Sequence, residues 1–139
     1  MYQCRNYIGG DWVASATGQV FESVNPATGE VIAVAPKSGP QDVADAVAAA
    51  RAVFDSGVWA NATGSVRATV LRRFAELLRA NCDRLAELST RENGKTLRAA
   101  RGEILNSADI SDYYAGLART ISGEATYLSK ETVSLTFRE

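Results

Sequence analysis

Short apolar runs separated by glycine-rich turns occupy the first third of the chain. Tyr7-Ile8 and Trp12-Val13 flank a Gly-Gly-Asp turn, a spacing typical of a tight β-hairpin. Two further runs at residues 20–24 and 30–34 are rich in β-branched residues and are bounded by turn signals. The pattern therefore predicts two hairpins before any helix.

The second hairpin has a distinctive turn, Asn-Pro-Ala-Thr-Gly, at residues 25–29. The proline biases Asn25 toward extended geometry, and Pro26 itself has the φ that the first corner of a type I turn requires. Gly29 can adopt the left-handed conformation that closes such a loop. This stretch is accordingly interpreted as a turn between paired strands.

The middle of the chain carries apolar residues at spacings of three and four, which are typical of amphipathic helices. The pattern predicts three helices, over residues 40–56, 65–91 and 96–121. Asn93-Gly94 is the stop signal between the second and the third. The residues expected on the inner faces are, in order, Val43, Ala46, Val47, Ala50, Val53 and Phe54; then Val66, Val70, Leu71, Phe74, Leu77, Leu78, Cys82, Leu85 and Leu88; then Leu97, Ala100, Ile104, Ala108, Tyr114 and Leu117.

The last eight residues, 132–139, change to alternating polar and apolar positions, which predicts a half-buried strand. No partner strand or turn follows it in the sequence. Because an unpaired apolar edge favours aggregation, we expect the natural sequence to continue beyond Glu139.

Charge and composition narrow the classes of partner. The formal net charge is -1, which favours neither nucleic acid nor an anionic membrane as a partner. No apolar run is long enough to span a membrane, and the N-terminus does not resemble a signal peptide. Two widely separated cysteines, Cys4 and Cys82, provide no disulfide framework, which fits a cytoplasmic protein.

The chain contains no histidine. This absence excludes histidine-based catalytic triads, imidazole metal sites and the usual general base near neutral pH within these residues. Two cysteines alone cannot form a thiolate zinc site. Cys82 is interpreted as a buried, inert thiol on the second helix, and Cys4 as part of a flexible terminus.

Three short motifs resemble functional sites but have simpler structural interpretations. Gly94-Lys95-Thr96 resembles the end of a phosphate-binding loop, but Ser89 takes the place of the leading glycine and a helix precedes it, so we reject that interpretation. Tyr113-Tyr114 is interpreted as packing on a helix, and residues 92–95 as a helix C-cap. No G-x-G-x-x-G motif occurs. The residues by themselves indicate an α/β chain without a catalytic constellation.

Five motifs in order nevertheless carry a family resemblance. With them the chain closely resembles the N-terminal part of the NAD(P)-dependent aldehyde dehydrogenase superfamily, from about residue 7 to residue 139. The motifs are YIGGDW (7–12), VNPATGEVIA (24–33), DVADAVAAARAVF (42–54), ENGKTL (92–97) and YYAGLA (113–118).

The resemblance implies an architecture. Residues 1–124 would form the N-terminal part of the cofactor-binding domain, with short hairpins and three amphipathic helices but without the Rossmann core. Residues 125–139 would form the first strand of the oligomerisation domain. Family members assemble through that sheet, so the resemblance also implies a homo-oligomer.

The resemblance implies a chemistry that this chain does not carry. In the family a cysteine attacks the aldehyde to form a thiohemiacetal, hydride passes to NAD or NADP, and a glutamate activates water to release the acid. In family order these groups and the dinucleotide-binding loops lie beyond residue 139. We therefore expect no catalytic and no cofactor-binding residue here, and no activity or cofactor binding by this chain alone.

Two further sites follow from the resemblance. Many relatives hold a structural monovalent cation, and the corresponding positions are Ser23, Val24 and Glu92; the simpler alternative for Glu92 is a carboxylate at a helix end. The third helix lines the substrate entrance in relatives, which makes Gly102 and Asn106 candidates for the mouth of that entrance.

Three hypotheses for the whole chain remain open. It is part of an aldehyde dehydrogenase, or a non-catalytic module that self-associates or binds other subunits, or a remnant of a broken gene. The mass of the natural product distinguishes the first from the other two.

Overall fold

The computed structural model describes residues 1–136; Phe137, Arg138 and Glu139 lie outside the described part. Within it, the chain forms small sheets, then a run of helices, then a hairpin, which confirms the predicted α/β class. The elements are β1 (Tyr2–Gln3), β2 (Asn6–Ile8), β3 (Asp11–Val13), β4 (Val20–Val24), β5 (Val31–Pro36), α1 (Pro40–Asp55), α2 (Gly64–Ala80), α3 (Cys82–Asn93), α4 (Leu97–Leu117), β6 (Glu124–Ser129) and β7 (Thr132–Thr136).

Both predicted N-terminal hairpins are confirmed. β2 pairs antiparallel with β3 around Gly9 and Gly10, which have φ values of 64° and 102°. β4 pairs antiparallel with β5 around the turn at 25–29. There the N–H of Gly29, at φ 74°, donates to the carbonyl of Asn25 at 2.8 Å. Glycine is needed at these positions because positive φ is unfavourable for other residues.

The N-terminus is a strand, so the expectation of a flexible terminus around Cys4 was wrong. β1 pairs parallel with β5, and the Cys4 N–H donates to the carbonyl of Val34 at 2.9 Å. A two-residue strand is too short to show an alternating pattern, and its pairing depends on a strand about thirty residues later. The first sheet therefore has the order β1-β5-β4.

The second predicted helix is two helices, so the number is four rather than three in the described part of the chain. α2 ends and α3 begins around Asn81, whose φ and ψ are -108° and 12°. The Asn81 side-chain amide donates to the carbonyl of Leu77 at 2.8 Å. This bond competes with the helical ladder, and asparagine commonly ends helices in this way.

Small side chains form the core of the helical bundle. α4 packs against α2 and α3, and the buried residues at these contacts are alanines. A Cβ added at Gly64, the first residue of α2, would lie only 2.3 Å from the carbonyl oxygen of Ala118. Alanine and glycine thus allow the helices to approach closely. The buried alanines are Ala68 and Ala75 of α2, Ala86 of α3, and Ala100, Ala108 and Ala115 of α4.

Several residues predicted to face inward are exposed instead. The apolar periodicity located amphipathic stripes, but the contact between α2 and α4 runs along the neighbouring alanine stripe. The predicted inner face of α1 was therefore wrong for residues 1–136, and those of α2 and α4 were wrong in part, because these residues are exposed. The exposed residues include Val43, Val47, Val53, Phe54, Val66, Val70, Phe74, Leu77, Leu97, Tyr114 and Leu117.

Ion pairs connect α4 to its neighbours. The Arg79 guanidinium of α2 lies 2.7 Å from the carboxylates of both Asp109 and Asp112. These hydrogen bonds raise the pKa of Arg79 further above its usual value. Arg101 of α4 pairs with Asp83 of α3 at 2.8 Å. The bundle is thus held by polar contacts around a core of small residues.

The strand predicted over 132–139 has a partner, which corrects the expectation of an unpaired strand. β7 pairs antiparallel with β6, with Tyr127 opposite Val133 and Ala125 opposite Leu135. The rest of the predicted strand, residues 137–139, lies outside the described residues. Every residue of both strands is exposed. The sequence did not predict β6, because the adjacent apolar residues Tyr127 and Leu128 interrupt its alternation of polar and apolar positions.

Candidate functional site

The structure brings two of the predicted site segments together. Gly94, which ends α3 with φ 77°, lies against the turn at 25–29. A Cβ at position 94 would lie 3.1 Å from Cγ of Pro26, so the turn and the loop after α3 are in contact. Ser23 and Val24 directly precede this turn, and Glu92 is the second-last residue of α3.

The strand pairing is interrupted beside Ser23 and Val24. Ser23 is opposite Ala33 and Val24 is opposite Val31, so the intervening residue of β5, Ile32, has no opposite residue. Ile32 is buried, Ser23 is half-buried and Val24 is exposed. A bulge of this kind leaves ladder groups unpaired and redirects them. The extra residue of this bulge is on β5, and Ser23 and Val24 lie on the strand opposite the irregular position.

Glu92 is exposed in the last turn of α3, and it is in none of the ion pairs among residues 1–136. The helix end is completed by other groups. The Gly94 N–H donates to the carbonyl of Thr90 at 2.9 Å, and the Lys95 N–H donates to Oδ1 of Asn93 at 3.2 Å. The Glu92 carboxylate is thus not required for capping.

The described residues contain no cluster of three or more His, Cys, Asp or Glu side chains that could hold a metal ion. A cation at the corner where the turn at 25–29 meets the end of α3 would therefore depend mainly on carbonyl oxygens. Oxygen ligands of this kind suit a hard cation.

The two candidates for the substrate entrance lie one turn apart on α4. Gly102 and Asn106 are both exposed, and a Cβ at Gly102 would meet no atom within 4 Å. Tyr113 and Tyr114 are also exposed, so the expectation that they pack inside was wrong. Their rings contact each other edge to face, with centroids 5.4 Å apart.

Neither cysteine has the surroundings of a nucleophile. Cys82 begins α3 and is half-buried rather than buried, with its Sγ 4.0 Å from the carbonyl oxygen of Arg101. Cys4 is exposed beside β5. The described structure places no general base among their hydrogen-bond partners.

Asp42 forms a polar network that the sequence analysis missed. It is 5% exposed and accepts three hydrogen bonds of 2.8 Å, from the N–H groups of Ala16 and Gly39 and from the Ser15 hydroxyl. The Ala16 bond, then those of Gly39 and Ser15, hold the pKa of Asp42 below its usual value. This network joins the loop after β3 to the first turn of α1. The sequence does contain a signal for this network: Asp42 is an acidic residue in the first turn of a helix that begins Gly-Pro.

No helix in residues 1–136 is long and apolar enough to cross a membrane.

Comparison with known proteins shows which family this sequence resembles. The sequence model of the aldehyde dehydrogenase family matches residues 12–139. A curated relative, betaine aldehyde dehydrogenase from Bacillus subtilis (strain 168), is 36% identical over 118 residues, which cover 85% of this chain and 24% of the relative.

Solved structures agree with the sequence comparison. An NAD-dependent aldehyde dehydrogenase from Sinorhizobium meliloti superposes with a TM-score of 0.90 at 34% identity, covering 96% of this chain and 27% of that one. A betaine aldehyde dehydrogenase point mutant from Staphylococcus aureus, solved with NAD+, gives a TM-score of 0.85 at 33% identity, covering 88% and 25%. The chain therefore spans about a quarter of the length of these relatives.

Proposed function

Because the chain belongs to the aldehyde dehydrogenase family, we propose that it is the N-terminal segment of an enzyme that oxidises an aldehyde to a carboxylic acid with NAD+ or NADP+. The observation that carries this proposal is the family match over residues 12–139. The relatives' names support an aldehyde as the substrate, and a structure solved with NAD+ supports the cofactor.

The surface of the chain supports a role as part of a larger molecule. Val43, Val47 and Phe54 expose an apolar stripe on α1, and Phe54 is 73% exposed. Burying such side chains is worth about 1.5–3 kcal/mol each. A longer polypeptide that covers this stripe would gain that stabilisation, which an isolated chain lacks.

At the starts of three helices, one of the N–H groups that could bind a dinucleotide is already used within this chain. Pyrophosphate binds at helix N-termini with free N–H groups. At α1 the Gly39 N–H already donates to Asp42. At α2 the Val66 N–H donates to the Thr63 hydroxyl, and at α4 the Ala99 N–H donates to the Thr96 hydroxyl. We propose that the cofactor is held by parts of the polypeptide outside these residues.

The same division applies to catalysis. Cys82 contacts a backbone carbonyl and Cys4 is exposed with no activating partner among residues 1–136. We propose that no catalytic residue lies on this chain and that the chain alone is inactive. Two free cysteines are also consistent with the cytoplasm, which is the compartment that we propose.

The corner of Ser23, Val24 and Glu92 is proposed as a monovalent cation site of the complete enzyme. The contact of Gly94 with Pro26 and the irregular pairing beside Ser23 and Val24 support it, as does the Glu92 carboxylate, which is in no ion pair of residues 1–136. The ion would link β4 to the end of α3 and stabilise the fold rather than take part in the reaction. Gly102 and Asn106 are proposed as residues of the substrate entrance, since both are exposed on one face of α4.

The cation proposal is tested with Glu92→Ala in the complete enzyme. We expect the variant to lose most of the rise in melting temperature that potassium or sodium gives the wild type, while turnover stays within about twofold. Glu87→Ala, on the exposed side of the same helix, is the control. If both variants respond to the salts as the wild type does, Glu92 is only a residue at a helix end.

The division into residues 1–124 and 125–139 is also a proposal, and the hairpin of β6 and β7 supports assembly. Ala125, Tyr127, Val133 and Leu135 form cross-strand pairs on one exposed face. We propose that this face joins copies of the enzyme into a homo-oligomer. The same exposed face favours a second candidate function, a module that associates without chemistry of its own.

The experiment that separates the two functions begins with the intact mass of the natural product. The natural product is then purified and assayed for the reduction of NAD+ and NADP+ with small aldehydes. A polypeptide several times heavier than this chain that reduces the cofactor supports the enzyme. A natural product of 139 residues that assembles without activity overturns that proposal and supports the module.

A further inference from the structure

Asn93 is the only asparagine of the chain that is followed by glycine. The other asparagines precede residues that carry a side chain, and Asn25 precedes a proline, which has no N–H group. The pair Asn93-Gly94 lies at the end of α3, and both residues are exposed. An amide side chain therefore lies next to a backbone nitrogen that no side chain of its own residue shields.

The amide carbon of Asn93 can react with that nitrogen. Attack of the Gly94 nitrogen on Cγ of Asn93 closes a five-membered ring, and such an intramolecular attack is strongly favoured over a reaction between separate molecules. The Lys95 N–H donates to Oδ1 of Asn93 at 3.2 Å. That hydrogen bond polarises the carbonyl and would stabilise the negative charge that develops on its oxygen during the attack. The fold thus activates the group that is attacked.

The nucleophile, by contrast, is held back by one hydrogen bond. The Gly94 N–H donates to the carbonyl of Thr90 at 2.9 Å and so completes the last turn of α3. While this bond is present, the nitrogen is tied into the helix and is not free to attack. Helix ends open far more often than helix interiors, because less free energy is needed to open them. Opening of the last turn therefore sets how often the Gly94 nitrogen becomes free.

We propose that Asn93-Gly94 is a site of spontaneous deamidation, which proceeds when the last turn of α3 opens and the hydrogen bond from Gly94 to Thr90 breaks. Water is the only co-reactant. The site consists of residues of this chain alone, so the inference goes beyond the proposed function and does not depend on it.

The reaction has two steps, and neither oxidises or reduces any group. In the first, the Gly94 nitrogen forms a bond to Cγ of Asn93 and loses its proton through solvent to the amide nitrogen, the Cγ–Nδ2 bond breaks, and ammonia leaves a succinimide ring. In the second, water opens the ring. Addition at Cγ breaks the new bond and gives an aspartate, whereas addition at the backbone carbonyl carbon of residue 93 breaks the original peptide bond and gives an isoaspartate.

Both products would change this end of α3. Each adds a negative charge directly beside Glu92 at the C-terminal end of a helix, where the helix dipole disfavours it. An isoaspartate also lengthens the main chain by one carbon atom, which shifts Gly94 relative to Pro26, its neighbour in the turn at 25–29. Deamidation is therefore expected to loosen the contact between this turn and the end of α3.

The test follows the loss of the amide by peptide mass mapping while the natural polypeptide is stored in mildly alkaline buffer, once native and once unfolded in urea. Ser107→Gly supplies the matched control, because it places the same Asn-Gly pair in the interior of α4. In the native state we expect Asn93 to react at least about tenfold faster than Asn106 of this variant, and at least about tenfold more slowly than Asn93 in urea. In urea the two pairs should react within about twofold of each other, since no helix distinguishes them.

Two measurements keep the test valid if Ser107→Gly does not fold. The comparison of native and unfolded wild type needs no variant. Asn93→Gln should remove the mass change at position 93, because a glutamine side chain would have to close a less favourable six-membered ring.

Three results would overturn the proposal. One is a native polypeptide that keeps the Asn93 amide while the unfolded one loses it. The second is an equal rate in the native and unfolded states, which would mean that the bond to Thr90 does not control the reaction. The third is native Asn106 of Ser107→Gly reacting as fast as Asn93, which would make the end of α3 irrelevant. The readout is a mass change and not cofactor reduction, so each of these results leaves the proposed function untouched.

Discussion

Helices α4 and α1 are both rich in apolar residues but differ in what covers them. α4 buries Ala100, Ala108 and Ala115 against α2 and α3. α1 contacts the rest of the described chain through the Asp42 network and a small area of β2, and it leaves Val47 and Phe54 exposed. The bundle around α4 therefore has a buried core of its own, although large apolar residues of α2 and α4 stay exposed, whereas α1 buries no apolar residue against the described chain. This difference separates what the chain stabilises by itself from what the rest of a dehydrogenase would stabilise.

The largest effect is expected inside the bundle, from Ala108→Leu. Ala108 is 0% exposed on α4, so three extra carbon atoms force the helices apart. We expect a loss of about 3 kcal/mol in the free energy of unfolding, at the upper end for overpacked cores. Urea unfolding followed by circular dichroism measures it.

The matched control is Ala48→Leu on the exposed surface of α1. We expect it to change the free energy of unfolding by no more than about 0.5 kcal/mol. If both alanines tolerate leucine equally, the alanine contacts do not hold the bundle together.

This contrast also explains how much the sequence could predict. The two hairpins were predicted correctly because Gly9, Gly10 and Gly29 occupy positions of positive φ, which are local signals. The helices were predicted because apolar periodicity marks amphipathic segments. The face through which the helices pack was not predicted. It consists of alanines, which are only weakly apolar, whereas the large apolar residues of α1 and α2 that dominate the pattern are exposed in the described chain.

Other features depend on distant partners. β1 pairs with β5 across about thirty residues, and Asp42 accepts hydrogen bonds from Ser15 and Ala16. Local sequence patterns cannot predict such contacts, because the partners are far apart in the sequence. For the candidate sites, the positions 23, 24, 92, 102 and 106 came only from the family resemblance, and the structure adds the contact of Gly94 with Pro26.

A second effect is expected on the uncovered face of α1, from Phe54→Ser. In the 139-residue chain we expect the free energy of unfolding to change by less than about 0.5 kcal/mol, because Phe54 is largely exposed there. In the complete enzyme proposed above we expect a loss of about 2 kcal/mol, the value of a buried aromatic side chain. Urea unfolding of both polypeptides gives the comparison.

The control for Phe54 is Ala52→Ser in both polypeptides, an exposed position on the same helix. It should have a similarly small effect in each. A Phe54 effect of the same size in the short and the long polypeptide would mean that nothing further covers α1.

A smaller effect is expected at the junction between α1 and the loop after β3, from Asp42→Asn. Hydrogen bonds lower the pKa of Asp42 in the folded state. A carboxyl with a lowered folded pKa stabilises the fold above its unfolded pKa of about 3.9, and that stabilisation is lost as the pH falls through the folded pKa. We expect Asp42→Asn to lower the melting temperature by about 5 °C at pH 7.

The pH dependence provides the check. Below about pH 4 the wild type should lose stability toward that of Asp42→Asn, so the difference between them narrows. Asp45→Asn, an exposed acid on the same helix that bonds Gln41, is the control. A difference that stays constant from pH 7 to pH 3 would show that the charge of Asp42 does not stabilise the junction.

The most direct test of the central claim is amide hydrogen exchange of α1 and α4 in the 139-residue chain and in the natural polypeptide. The account predicts that, in the short chain, amides in the middle of α4 exchange at least about 100-fold more slowly than those of α1, and that α1 approaches the protection of α4 in the longer polypeptide. Equal protection of α1 and α4 in the short chain, with no gain for α1 in the longer one, would contradict it.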